Sequence, residues 1–373
     1  MTFTLTICGL VLLSGSPALA QRAIDLTGTP AATISQPFTT VTGVRELPGN
    51  VAIVTDQFER RVFLVDFGSG TARQIGRQGD GPGEYRFPMA PLPAPANATW
   101  IFDATLRRIH VLSPDGMFTT TVAPPVGRVR VPGGILAMRG TDRTGRLYFE
   151  GDSHDSETGQ FLDSITILRW NPQDDRITVL GRVWSGGRVS VDRPPIGRMS
   201  IARGATPFPH VDAWTVLPDG RVAIVEHETF RIVFLEEGGI VLRGPSIRYT
   251  PIPVTASDRA VFRERIAPAR MVAAGGGQSV RAAQPLDAEF PRTMPPFIAS
   301  TVASSPEGEI WIGRSHALTD RTWRYEVFDA RGQLIATATL PANSVIVGFG
   351  DGVVYVGRTD PADDLVYLER YRR

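Results

Sequence analysis

The chain has 373 residues, with 39 basic against 38 acidic side chains and a formal net charge of +1. That balance leaves no electrostatic footprint for nucleic acid or an anionic membrane surface. With 42% hydrophobic and 21% charged residues, the chain has the composition of a globular protein long enough to bury a large core, not of a disordered or fibrous one.

In chain order, the first element is a leader. Residues 1–20 carry an apolar stretch from Leu5 to Leu13 and then Ala18-Leu19-Ala20, small residues that fit an export-peptidase site before Gln21. No positive charge precedes the stretch. The single cysteine, Cys8, falls inside it, so the mature chain has neither disulfides nor thiolate metal ligands. No later apolar run approaches the length of a membrane span, and the expected location is periplasmic or secreted.

Beyond the leader a unit recurs six times: LPGNVAIVTD, PANATWIFD, DRTGRLYFEG, LPDGRVAIVE, SPEGEIWIGR and FGDGVVYVGR. Each places a turn residue before about five apolar, β-branched or aromatic residues. The turn residues are Asn50, Asn97, Gly145, Gly220, Gly308 and Gly352, at intervals of 47, 48, 75, 88 and 44 residues. A repeat of about 45 residues with four short strands is the mark of a propeller blade. The fold class expected is all-β, a six-bladed β-propeller and a single domain over 21–373. The last unit lacks a fourth strand, and residues 23–34 have no partner of their own. That leading segment is expected to complete the last blade and close the ring, removing two sheet edges.

The two long intervals hold insertions, at about 184–211 and 252–297. In the second, Thr255 and Asp258 have capping-box spacing ahead of Val261, Phe262 and Ile266, which predicts a short helix between blades four and five.

Between the first and second units runs GRQGDGPGEYRFP, Gly76 to Pro88. A phosphate loop needs a helix N-terminus behind it, and the proline-studded residues that follow supply none. The glycines are read instead as positive-φ residues of a tight corner, with Tyr85 and Phe87 packed between blades. Gly79-x-Gly81-Pro82-Gly83-Glu84-Tyr85-x-x-Pro88 resembles the inter-blade signature of bacterial six-bladed β-propellers of the NHL-repeat kind, and the strand units resemble that family's blade core. The resemblance implies the fold and export, and little about activity.

Strand parity puts the turns between second and third strands, and the links between blades, on one face. That face is the expected ligand site. The carboxylates Asp56, Asp103 and Glu226 end second strands, each five residues before an arginine (Arg61, Arg108, Arg231). They are read as charge-assisted braces across the turn, or as oxygen ligands for a cation. The same face should carry His154, His210, Asp212, His227, Arg314, His316 and Arg358, as candidates for ligand binding, while His110 reads as a packing residue inside a strand. Arginines of the insertions, among them Arg259 and Arg263, could add a positive rim. The cofactor expectation is none, or one divalent cation, Ca or Zn, in the central channel. The favoured function is a monomeric binding module for a small molecule, glycan or peptide. The alternatives are a metal-dependent lactonase-like or lyase-like enzyme using His210, His227, Asp103 and Glu226, and a protein-interaction scaffold. No G-x-S-x-G nucleophile motif is present.

Overall fold

A computed structural model describes residues 21–373 except 126, 129–130, 132–136, 153, 156–158, 187–189, 192–205 and 267–288. The leader and most of the first insertion therefore lie outside the described residues. Six sheets follow one another along the chain, each a meander of short antiparallel strands. Blade one, for example, runs Gly43–Leu47, Val51–Asp56, Arg61–Asp66 and Thr71–Ile75, and blade four Ala213–Val216, Val222–Glu226, Arg231–Glu236 and Gly239–Arg243. From blade one to blade five, each blade's first strand lies beside the first strand of the next. Ser344–Gly350 of blade six lies beside Gly43–Leu47 of blade one, so the ring is circular.

The apolar runs of the second strands follow from this arrangement. Both faces of every sheet are covered by neighbouring blades, so a central strand is apolar on both sides and does not alternate. The buried side chains divide into one cluster per blade interface. Ile53, Val62 and Ile75 of blade one pack on Ile101 and Leu112 of blade two. Blades four and five meet through Val225, Phe230, Ile232, Ile310 and Phe328. Among the described residues, no helix is long and apolar enough to cross a membrane.

The leading segment divides between two blades. Ala32–Thr33 pairs antiparallel with Val366–Arg372 of blade six, extended by Ile34 N–H to the Leu368 carbonyl (3.0 Å) and by a two-way exchange between Phe38 and Val366. Arg22–Asp25 instead runs parallel to Leu334–Ala342, as a fifth strand on blade five. This corrects the expectation that residues 23–34 all join the last blade. The reason is local: Asp25 accepts the Thr27 N–H (2.9 Å) in a turn, and Pro30 lacks an N–H, so one uninterrupted strand cannot form. Ile24 then packs between blades five and six, and Ile34 between six and one.

The glycine string is the corner between blades one and two. Gly76, Gly79 and Gly83 have φ of 63°, 152° and 71°. Tyr85 is fully buried, donates to the Ile75 carbonyl (3.0 Å) and accepts from Val62 N–H (3.2 Å), while its ring stacks on Phe118 of blade two. Phe87 is only half-buried. Arg108 locks the corner from blade two by donating to the carbonyls of Asp80, Gly81 and Glu84. A Cβ at Gly76 would come within 2.6 Å of the Gly83 carbonyl and 2.8 Å of the Tyr85 ring. Gly76→Ala is therefore expected to destabilise the fold by about 1–3 kcal/mol, read as a lower urea midpoint at unchanged m.

Candidate functional site

The carboxylates that end second strands have a task other than the one read from sequence. Asp56 is buried and accepts N–H groups of Thr39 (2.8 Å), Thr40 (3.2 Å) and Glu59 (3.1 Å). Asp103, fully buried, accepts those of Arg86 (2.6 Å), Phe87 (3.2 Å), Thr105 (3.0 Å) and Leu106 (2.8 Å). Each carboxylate thus ties the incoming link to the turn after the second strand. The expected braces to Arg61 and Arg108 do not form, because main-chain amides fill the oxygens first and Arg108 is spent on the glycine corner. Burial pushes the Asp103 carboxyl up, but His110 and the amides outweigh it and hold the group at about 2. Oxygens saturated by N–H donors have the wrong surroundings for a cation. Glu226 accepts instead from the Thr229 hydroxyl, and Arg231 donates to Ser246 (2.9 Å). His110 is buried edge-on to Phe118, with its Nε2 3.9 Å from the Asp103 carboxylate.

Blade four varies the same device. The ladder pairs Ala213 with Val225, which brings the residue before the first strand, Asp212, against the residues after the second, Glu226 and His227. Blade one has the same register, Gly43 opposite Thr55, and there the Thr42 hydroxyl accepts the Gln57 N–H (3.2 Å). In blade four the Asp212 carboxylate accepts the His227 N–H (2.9 Å) and also the imidazole Nδ1–H of His227 (2.6 Å). A carboxylate oxygen can only accept, so the ring proton sits on Nδ1 and the lone pair on Nε2. His210 stands next to it, ring centroids 6.4 Å apart and 79° between planes. Its Nε2 lies 3.0 Å from the Thr293 carbonyl, another pure acceptor, so its lone pair sits on Nδ1. Among the described residues neither lone-pair nitrogen has a hydrogen-bond partner.

The insertions support this cluster. Helix Ala256–Ile266 forms as expected, with Thr255 and Asp258 in a reciprocal cap: Asp258 N–H donates to Thr255 Oγ1 (3.2 Å) and Thr255 N–H to Asp258 (3.0 Å). The other Asp258 oxygen accepts the Leu318 N–H from blade five (2.7 Å). Phe208, Val254, Phe262, Met294 and Leu318 bury one another, giving the link face a small core of its own. A shallow cleft opens beside it, lined by Phe208, Met294, Ile298, Ser315, His316 and Leu318.

The structure thus brings together His210, Asp212 and His227, with His316 on the adjoining cleft. Glu226 adjoins His227 on the same turn, and the other candidates are engaged elsewhere. Arg314 stacks over Phe230, its guanidinium carbon 4.5 Å from the ring centre, and is 3.6 Å from Glu326; burial pushes the arginine down and Glu326 up. Arg358 donates to buried Glu369 (2.6 Å), which also accepts from Tyr371 (2.8 Å). His154 opens a two-residue ribbon paired with Gln160–Phe161, and its side chain is outside the described residues. Arg259 and Arg263 lie over Phe290 (6.0 and 5.2 Å), covering the insertion core. Among the described residues no three His, Cys, Asp or Glu side chains group to hold a metal ion. Sequence missed Thr293, Glu326 and Glu369, which carry no local motif.

No protein-family model and no curated protein sequence matches this chain. Solved structures share its fold at very low identity. A member of the DUF4221 family from Bacteroides vulgatus aligns at 9% identity and TM-score 0.51, over 92% of this chain and 96% of that one. A gluconolactonase from Xanthomonas campestris gives 10% and 0.46 over 94% and 97%. The calcium-binding protein regucalcin from Agrobacterium tumefaciens gives 12% and 0.43 over 94% and 97%. At such identities the likeness is one of fold alone.

Proposed function

We propose that this protein is an exported, one-domain propeller whose inter-blade-link face takes up a small molecule, and that His227, Asp212 and His210 give that face hydrolytic or lyase-like chemistry. Export rests on the leader pattern of residues 1–20. The chemistry rests on one observation, the 2.6 Å contact from His227 Nδ1 to Asp212. That contact fixes the tautomer and orientation of the ring and leaves Nε2 basic, which is what a carboxylate does for an imidazole that must accept a proton or stabilise one gained. The neighbouring cleft supplies an apolar wall for a substrate, the insertion core holds the His210 segment through Phe208, and Asp212 holds His227.

The test is turnover of a panel of five- and six-membered lactones, simple esters and β-elimination substrates by the mature protein. His227→Gln is expected to lower kcat/KM on any substrate turned over by about 100-fold or more, with melting temperature little changed. Equal rates in both proteins would remove the enzymatic reading.

A second reading, the binding module, is favoured by the equivalence of Asp212 and His227 to Thr42 and Gln57, where the same contact is only a stitch between link and turn. In that case His227→Gln alters ligand affinity and no substrate in the panel is turned over.

A further inference from the structure

We infer that His210 and His227 together form a two-nitrogen site for a transition-metal dication of borderline softness, with zinc as the reference ion. The inference rests on the cluster of the functional reading and deepens it by naming what the basic nitrogens hold. Imidazoles that ligate a metal through one nitrogen characteristically donate the other N–H to a carboxylate or main-chain carbonyl, which fixes the tautomer and makes the ligating nitrogen more basic. Both histidines are already set this way, one against a carboxylate and one against a carbonyl. His227 donates Nδ1–H to Asp212 (2.6 Å) and His210 donates Nε2–H to the Thr293 carbonyl (3.0 Å).

The spacing agrees. Two imidazoles sharing one ion at nitrogen distances of about 2.1 Å place their ring centres about 5–6.5 Å apart, the upper end being the linear arrangement. The observed separation is 6.4 Å, inside that range, so the two rings stand close enough to share one ion. The two rings come from the link before blade four and the turn within it: the ladder register places His227 against Asp212, and Phe208 and Thr293 hold His210 beside them.

The donor type selects the ion. Nitrogen ligands suit Zn, Ni and Cu, whereas Ca and Mg take oxygen. The oxygens first considered for a hard cation, on Asp56 and Asp103, are filled by main-chain N–H groups, which moves the candidate site from the carboxylates of blades one and two to the imidazoles of blade four. With only two protein nitrogens, the remaining positions fall to water or substrate. That leaves the ion open to exchange, unlike the closed four-ligand set of a structural site.

Equilibrium dialysis of the mature protein against Zn²⁺, with Ca²⁺ as comparison, reads the site directly, and Cu²⁺ electron paramagnetic resonance reads its donors. The expected result is one zinc per chain, little competition from calcium, and a copper spectrum with two nitrogen donors. His210→Gln and His227→Gln should each abolish stoichiometric binding. Asp212→Asn should weaken it by about 10–100-fold while keeping both nitrogens, a graded loss that a misfolded variant would not give. Thermal melts of all three establish that the fold is kept. Absence of stoichiometric zinc, or zinc undiminished in His227→Gln, overturns the inference. Turnover at full rate in chelator-treated protein overturns it too and leaves the acid–base reading standing. Zinc bound as expected without turnover of any substrate does the reverse.

Discussion

A chain that begins at Thr39 is expected to lose cooperative folding. The segment removed contributes Ile24, Leu26, Ile34 and Phe38, all buried at the interfaces of blade six with its two neighbours. Full burial of such side chains is worth about 1.5–3 kcal/mol each, or about 6–12 kcal/mol together, against a total stability of about 5–15 kcal/mol for a folded domain. Removal also exposes the edge of Val366–Arg372, whose hydrogen bonds to Ala31, Ile34 and Phe38 become free to pair with another chain. The truncated protein should bind a hydrophobic dye, show no sharp thermal transition and aggregate. A synthetic peptide of residues 21–38 added in trans should restore the transition. A cooperative melt within a few degrees of the full mature chain would show that the ring holds without its leading segment.

The second large effect lies at Asp103. Replacing it by Asn keeps the shape but removes the charge that four main-chain N–H groups share, at a site with no access to water. Hydrogen bonds to a charged acceptor are each stronger than neutral ones, and the expected loss is about 2–4 kcal/mol, or about 3–5 °C in melting temperature for a chain of this length. The pH dependence has a definite sign. The folded carboxyl sits at about 2, below its ordinary value of 3.8, so its stabilisation is fully present above about pH 4 and fades as pH falls toward 2. The gap between the parent protein and Asp103→Asn should therefore be constant from pH 5 to 7 and close on acidification. A gap that widens in acid would mean the carboxylate is not held ionised by His110 and these amides.

Blade four shows how function can be added to a structural device. In blades one and two, link and turn are joined by groups with no reactive chemistry, Thr42 with Gln57, and Asp103 with main-chain amides. At the same register in blade four the pair is Asp212 and His227. The backbone contact is kept, and an oriented imidazole is gained without altering the ladder. The insertion core then brings His210 alongside, because Phe208, two residues before it, is buried among Phe262, Met294 and Leu318.

The sequence by itself determined the number of blades, the position of the helix and the nature of the glycine corner. These depend on local chemistry: turn residues recurring about every 45 residues outside the two insertions, a capping pair three residues apart, and glycines where φ must be positive. It also determined which face carries the links, since strand parity is a counting matter. Only the tertiary structure decided which polar groups meet. Asp56 and Arg61 are close in sequence, yet main-chain amides from a link some sixteen residues away take the carboxylate first. Asp212 and His227 are fifteen residues apart, and His210 reaches Thr293 across 83. Such pairings are set by strand register and by which donors are left unpaired when the blades close, and neither quantity is written in any short stretch of the chain. The break in the leading segment is local, at the Asp25–Thr27 turn and Pro30, but which blade edge each half takes was decided only by the closed ring.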